Sequence, residues 1–382
     1  MSSSNIAIYI HWPYCKSKCP YCDFNSHVRD AIDVSAWNEG YLKEIDNYSA
    51  LLQNKKIISI FFGGGTPSLM PSFIVKNIIN KLKELGKFDQ NIEITLEANP
   101  TSVEAEKFKE FAEAGINRVS LGIQSLNQNN LKFLGREHNV EEAIAAIKIA
   151  KDNFKRYSFD LIYALPNQTL NSWRDELVQA LDLAGEHLSL YQLTIEKGTP
   201  FYSMYQKKKF DLPGEDLAKD FYMLTQEIME AKGFPAYEIS NHARLGEECK
   251  HNMVYWQYDD FLGIGPGAHS RINNKAMHSI YHPENWLKAA LEGKTTIQDS
   301  IDLKLDDRVN EILLMGLRLT KGINQQAFIS KTGYSFFDYL NNKKLTFLLE
   351  NDFLGFENDN LFATNKGRLV LNNIINQLVE RG

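Results

Sequence analysis

Three cysteines, Cys15, Cys19 and Cys22, fall on one short stretch with the spacing C-x3-C-x2-C. Thiolates are soft ligands, and three on one loop can hold three irons of an iron–sulfur cubane while the fourth iron stays open. The alternative on spacing is a Cys3His zinc site, with His27 as the fourth ligand five residues after Cys22. Unligated thiols are the third reading. Thiols this crowded read as ligands in a reducing compartment, because a secreted chain usually spreads its cysteines in pairs. A second motif, Gly63-Gly64-Gly65-Thr66-Pro67, follows an apolar run. Three glycines let a ligand approach the backbone without Cβ interference. The motif lacks the Lys-Ser/Thr of a phosphate loop.

Both motifs need elements to carry them. Apolar, β-rich runs at Ile6–His11, Ile57–Phe62, Ile92–Glu97, Arg118–Ile123, Tyr157–Leu161 and Leu188–Ile195 alternate with helical stretches. The spacing predicts helices near Ser35–Leu52, Pro71–Leu85, Ser102–Ala114, Val140–Asn153 and Leu170–Ala184, with Asn171 and Thr101–Ser102 as capping residues. Six βα units in a row imply an α/β fold with a parallel sheet, either an open six-stranded barrel or an open doubly wound sheet. Eight units would close a barrel. Chemistry in such folds belongs at the carboxyl ends of the strands. The cysteines, the glycines, Glu97–Pro100, Gln124, Asp160–Pro166 and Tyr191–Glu196 all fall there, so all are expected on one rim.

After Lys197 the pattern loosens. A helix is predicted over Glu215–Ala231, and Tyr237–Arg271 is expected as sheet and loop beside the barrel. Helices at Asp306–Leu319, Asn324–Ser330 and Phe336–Glu350, a hairpin at Phe353–Phe356 and Leu361–Ala363, and a helix at Asn365–Val379 resemble a winged-helix-like module. From Ile301 onward ten basic residues balance ten acidic ones, and the whole chain carries a formal charge of −6. Nucleic-acid binding is therefore not expected, since phosphate contacts need an excess of basic groups. No apolar run approaches the roughly 20 residues that span a bilayer. Met1–Ile10 has neither a basic nor a long apolar region of the kind a secretory signal carries. The expected location is the cytoplasm.

The ordered series of motifs resembles the radical S-adenosylmethionine (SAM) enzymes, and within them the oxygen-independent coproporphyrinogen III oxidase family. The series is Tyr9-Ile-His11-Trp-Pro13-Tyr-Cys15, the three cysteines, Phe62–Pro67, Glu97-Ala-Asn-Pro100, Asn117–Ser125, Leu134–His138 and Asp160–Pro166. The resemblance implies an open, partial (β/α)6 TIM-like barrel with a C-terminal winged-helix-like domain. It divides the chain into a core barrel (1–235), an extension (236–302) and a C-terminal domain (303–382). It implies a [4Fe-4S] cluster on Cys15, Cys19 and Cys22 whose open iron chelates SAM, and electron transfer that cleaves SAM to a 5′-deoxyadenosyl radical. By similarity, Tyr9, Gly63, Gly64, Gly65, Thr66 and Glu97 contact SAM, and Gln124, Arg136 and Asp160 match positions that contact a second SAM in the oxidase. On their own, Glu97 or Asp160 also read as helix caps and Arg136 as a surface ion pair. The resemblance implies an electron donor such as flavodoxin or ferredoxin.

One departure bears on activity. The oxidase pattern places a further cysteine two residues after the third, where this chain has Phe24. The pattern here, followed by Asp23-Phe24, is similar to the HemW heme-chaperone branch of the family. That branch also carries H-N-x-x-Y-W, matched by His251-Asn252-Met253-Val254-Tyr255-Trp256. The expected function is a radical SAM-type heme chaperone that passes heme to an acceptor, such as a membrane-associated hemoprotein. His251 is the candidate axial ligand, an imidazole being a usual partner of heme iron. Cys249 is an alternative ligand, and His242 and His269 are candidates for a second position. The alternative functions are oxidative decarboxylation of coproporphyrinogen III to protoporphyrinogen IX, and a zinc-stabilised binding module. Gly263-Ile-Gly265-Pro-Gly267-Ala-His269-Ser270 resembles a family segment near the active site; no long helical pattern follows it, so it is not a dinucleotide-binding turn.

Overall fold

Strand and helix alternate through the first half of the chain because the apolar residues do. The computed structural model describes residues 4–29 and 31–379. The strands are β1 (Ser4–Trp12), β2 (Lys55–Gly64), β3 (Lys87–Ala98), β4 (Arg118–Gln124), β5 (Arg156–Tyr163) and β6 (His187–Gln192). They pair in sequence order, each parallel to the next. Ile6, Ala7, Ile8 and Ile10 of β1 have no exposed surface, as a strand covered on both faces requires. The helix Ser72–Leu85 buries Ile74, Val75, Ile78, Ile79 and Leu82, a single stripe at helical spacing.

The sheet continues past both ends of this set. On one side β7 (Asn241–Ala243) runs antiparallel to β6. On the other, β8 (Phe261–Ile264) adds a seventh parallel strand beside β1. The strands β9 (His269–Ile272), β10 (Lys275–Ser279) and β11 (Ile297–Asp302) follow antiparallel. The eleven strands form one mixed sheet that stays open, the TIM-like arrangement of a partial barrel. The helix Pro283–Leu291 locks the extension to the barrel: Trp286 stacks on Trp37 of the helix Val34–Asn47 at 5.3 Å. The Trp286 indole N–H donates to the buried Glu44, which also accepts from Thr296 and from the Gly265 amide.

A separate apolar cluster runs from Val309 to Leu378. It joins the helices Leu305–Gly316, Gln325–Thr332, Asn342–Glu350 and Leu371–Val379 to a hairpin, Leu354–Glu357 with Asn360–Ala363, on which Ile323–Asn324 adds a third short strand. Arg368 fastens this cluster to the barrel side through Tyr222, Thr320 and the Glu238 carbonyl. No helix among the described residues is long and apolar enough to cross a membrane.

Several expectations shift in detail. The long helix expected at Phe336–Glu350 breaks at Leu340, because the Asn341 side chain caps a new helix through the Lys344 amide. The helix at Leu170 is capped by Thr169 in a reciprocal pair with Ser172, two residues before Asn171. The stretch expected to be sheet and loop holds a seven-residue helix, Lys250–Trp256, too short to show a period.

Trp286 joins the extension to the barrel by both packing and a hydrogen bond. Trp286→Ala is expected to destabilise the barrel by about 3–5 kcal/mol, read as a lowered midpoint of its unfolding transition in urea.

Candidate functional site

The cysteine loop leaves the end of β1 and is held against the end of β2. Tyr14–Cys15 pairs with His27–Val28 as a two-stranded ribbon, so both ends of the loop are fixed. Lys18 ties the interior by donating to the carbonyls of Phe24 and Ser26. The amides of Gly65 and Thr66 donate to the carbonyls of Trp12 and Tyr14 at 2.7 and 2.8 Å. A Cβ on Gly65 would lie 2.7 Å from the Tyr14 carbonyl oxygen, and one on Gly63 would lie 2.8 Å from the Tyr9 ring. Gly64 has φ +111 and faces the His11 ring. The three glycines therefore serve a close approach of two chain segments, in addition to any ligand.

Cys15, Cys19 and Cys22 are half-buried, and all three line one pocket. Gly64, Gly65, Thr66, Glu97, Gln124, Arg136 and Asp160 line it too. Five consecutive strand ends thus deliver their residues to one rim. Gln124 reaches the pocket through a left-handed backbone (φ 69), a conformation that costs a non-glycine residue roughly 1–2 kcal/mol. Tyr9 instead lines an adjoining cleft, and Gly63 lies behind Tyr9 and lines neither space. His27 does not line this pocket and is bonded to Asn25 Oδ1 at 2.9 Å. Among the described residues, no set of three or more His, Cys, Asp or Glu converges on a single metal ion.

Charge in the pocket is unevenly matched. Arg136 lies 3.3 Å from Cys19 Sγ and donates to Asn99 Oδ1 and the Gly122 carbonyl, while its buried Nε finds no partner among the described residues. That orphan donor points to an anionic group from outside the chain. Burial, then the neighbouring Asp160, raises the Glu97 carboxyl to about 8, against a hydrogen bond from the Gly64 amide. Burial raises Asp160 to about 6, offset by Ser189 and Arg118. Two buried carboxyls that repel each other favour a cationic ligand between or beside them. Asn99 also donates to Thr66 Oγ1, and nothing in the sequence marks it as the bridge to Arg136.

A second cleft of about 520 Å³ shares Phe24, Gly64 and Glu97 with the thiol pocket. Phe24 is 58% exposed at the junction. The far wall comes from the extension, including His269, His278 and Tyr281. Asn25 fastens the two walls together by donating to the carbonyls of Pro266 and Tyr281.

The remaining heme candidates lie elsewhere. His251 is 1% exposed, and burial, then Arg118, holds its ring neutral with a pKa near 3. Nδ1 lies 3.0 Å from Ser59 Oγ, Nε2 lies 2.8 Å from the Tyr255 hydroxyl, and the ring stacks on Phe61. Cys249 is fully buried. Its buried thiol donates to Glu93 and is pushed up to about 12 by burial and that carboxylate, and it lines neither space. His242 is fully buried on β7, 3.4 Å from the Phe234 carbonyl, and lines neither space.

Comparison with known proteins shows the family. The Radical SAM superfamily profile matches residues 9–207, and the HemN C-terminal domain profile matches residues 303–370. The chain is 37% identical to the heme chaperone HemW of Haemophilus influenzae over 97% of each chain. It is 39% identical to the mitochondrial radical S-adenosyl methionine domain-containing protein 1 of Dictyostelium discoideum, over 98% of this chain and 94% of that one. Coproporphyrinogen III oxidase (HemN) from Escherichia coli superposes with a TM-score of 0.82 over 99% of this chain and 91% of that one. At 22% identity, that likeness establishes the fold.

The Gly65–Tyr14 approach has a direct test. Gly65→Ala is expected to push the cysteine segment aside and cut iron incorporation on anaerobic reconstitution by more than about half, with far-UV circular dichroism unchanged.

Proposed function

We propose, from the premise that this chain belongs to the radical SAM superfamily and within it to the HemW branch of the HemN-like family, that it receives heme beside a cluster and SAM site and passes it to an acceptor protein. The family implies a [4Fe-4S] cluster and SAM. In our reading Cys15, Cys19 and Cys22 hold the cluster, which when bound supplies an electron to SAM. The unpartnered Nε of Arg136 offers a donor to the SAM carboxylate, and Glu97 and Asp160 offer negative charge to its cationic groups. Gly64, Gly65, Thr66 and Gln124 shape the wall between them, and Tyr9 lies at the boundary with the second cleft.

The observation that carries the heme assignment is the second cleft. It is flanked by aromatic side chains, it opens onto the thiol pocket across Phe24, and it is walled by imidazoles. The carbon ring of Phe24 stands where the oxidase pattern has a thiol, which sets this chain apart from decarboxylation chemistry. His251 keeps both ring nitrogens engaged, by Ser59 and the Tyr255 hydroxyl, and does not itself line the cleft. Free thiols and an open iron suit a reducing, oxygen-poor setting, the cytoplasm in our reading, with a small redox protein as electron donor.

The test is anaerobic. The reconstituted protein is expected to bind hemin saturably and to transfer it to an apo-hemoprotein, and to form no protoporphyrinogen IX from coproporphyrinogen III with dithionite and SAM. Product formation with no saturable heme binding would overturn the chaperone reading.

The carboxyl pair gives a pH prediction. Glu97 ionises near pH 8, so a cationic ligand that prefers the carboxylate must expel a proton to bind below that pH. SAM affinity is expected to rise from pH 6 to pH 8, by at most about tenfold per unit. Glu97→Gln is expected to flatten the profile in equilibrium binding.

A further inference from the structure

Heme iron takes an imidazole only through a nitrogen that is reachable and not already engaged. The chain has nine histidines. His11 is bonded at both nitrogens, to Tyr9 and to the Asn25 carbonyl. His251 is likewise bonded at both and enclosed. His138, His187 and His242 are buried. His27 is bonded to Asn25 through Nε2 and His282 to Glu284 through Nδ1, and neither lines the second cleft. His269 and His278 remain, and both line the second cleft.

The sheet places these two together. They sit directly opposite each other on β9 and β10, so their side chains leave the same face. The rings stack with centroids 4.3 Å apart and an interplanar angle of 18°. Among the described residues, neither ring makes a hydrogen bond to another group. His269 is exposed and His278 half-buried. Tyr281, 50% exposed, and Phe24 stand on the same cleft as large apolar groups with uncovered surface.

We propose that His269 is the axial ligand that receives heme in this cleft, with His278 stacked against it to hold its orientation. This rests on the heme-chaperone reading and assigns its ligand. Rings stacked side by side cannot take opposite faces of one macrocycle, so the chain supplies one axial nitrogen and leaves the other axial position open. An acceptor's own ligand can bind there before His269 lets go, which makes the transfer an exchange of ligands on iron with no change in oxidation state.

The test uses the full-length, anaerobically reconstituted protein and hemin as probe, read by the Soret titration and by near-infrared magnetic circular dichroism of the ferric heme. Wild type is expected to show a single-imidazole signature. His269→Ala is expected to weaken hemin by at least about tenfold, with iron content and far-UV circular dichroism unchanged. His269→Met is expected to convert the signature to that of a thioether, a gain that misfolding cannot produce. Unchanged affinity and signature in His269→Ala, with loss in His251→Ala, would overturn the assignment and leave the chaperone reading standing. Absence of saturable hemin binding by wild type would overturn both.

Discussion

The close contact between the Gly63–Gly65 turn and the Tyr14–Cys15 ribbon is the constraint on which the site depends. Two backbone segments lie nearer than any side chain permits, and two short hydrogen bonds, from Gly65 to Trp12 and from Thr66 to Tyr14, hold them there. The cysteines follow directly on one segment, and Thr66 and the Glu97-bonding amide of Gly64 lie on the other. Because β1 and β2 are neighbours in a parallel sheet, this contact sets the thiols at a fixed height above the strand ends. Asn99, Arg136 and Asp160 then meet them from β3 to β5 without any long loop having to fold over the top.

Charge is distributed with equal economy. On the amino-terminal side of the strands, Glu93 is saturated: Arg156 pairs with it, Arg118 lies 4.0 Å away, and the Cys249 thiol and the His251 amide both donate to it. Such a network carries buried charge because each member has partners. At the carboxyl ends the matching is left incomplete, with Glu97 and Asp160 close together and Arg136 holding an idle Nε. The contrast between the two ends of one sheet sets fully partnered charge apart from charge that is not.

Much of this was legible in the residues, and the failures have physical causes. Six strands, the main helices and the rim at five of the six strand ends follow from apolar periodicity, while Tyr191–Glu196, expected on the same rim, lines neither space; the helix Glu215–Ala231 has the bounds its pattern predicts. The three thiols share a pocket because they share a loop, which spacing alone conveys. What periodicity cannot reach is contact between distant segments. The Asn25 tether spans more than 240 residues, the His269–His278 stack depends on strand register, and β8 joins β1 in parallel from far along the chain. His251 shows the same limit from the other side. Its motif is visible, but its enclosure by Ser59, Phe61 and Tyr255 comes from a short helix docked on a strand set almost 200 residues earlier.

The Asn25 side chain has a consequence of its own. One amide nitrogen spans the Pro266 and Tyr281 carbonyls, so the loop that carries the thiols and the strands that wall the second cleft share a fastening. Any ligand that steadies the loop thereby steadies the cleft wall, and thermodynamic linkage makes the effect equal in both directions. Occupation of the cleft then protects whatever the thiols hold by the same free energy with which the thiol-bound group tightens the cleft. In the proposed chaperone, loading and release are then two readings of a single equilibrium.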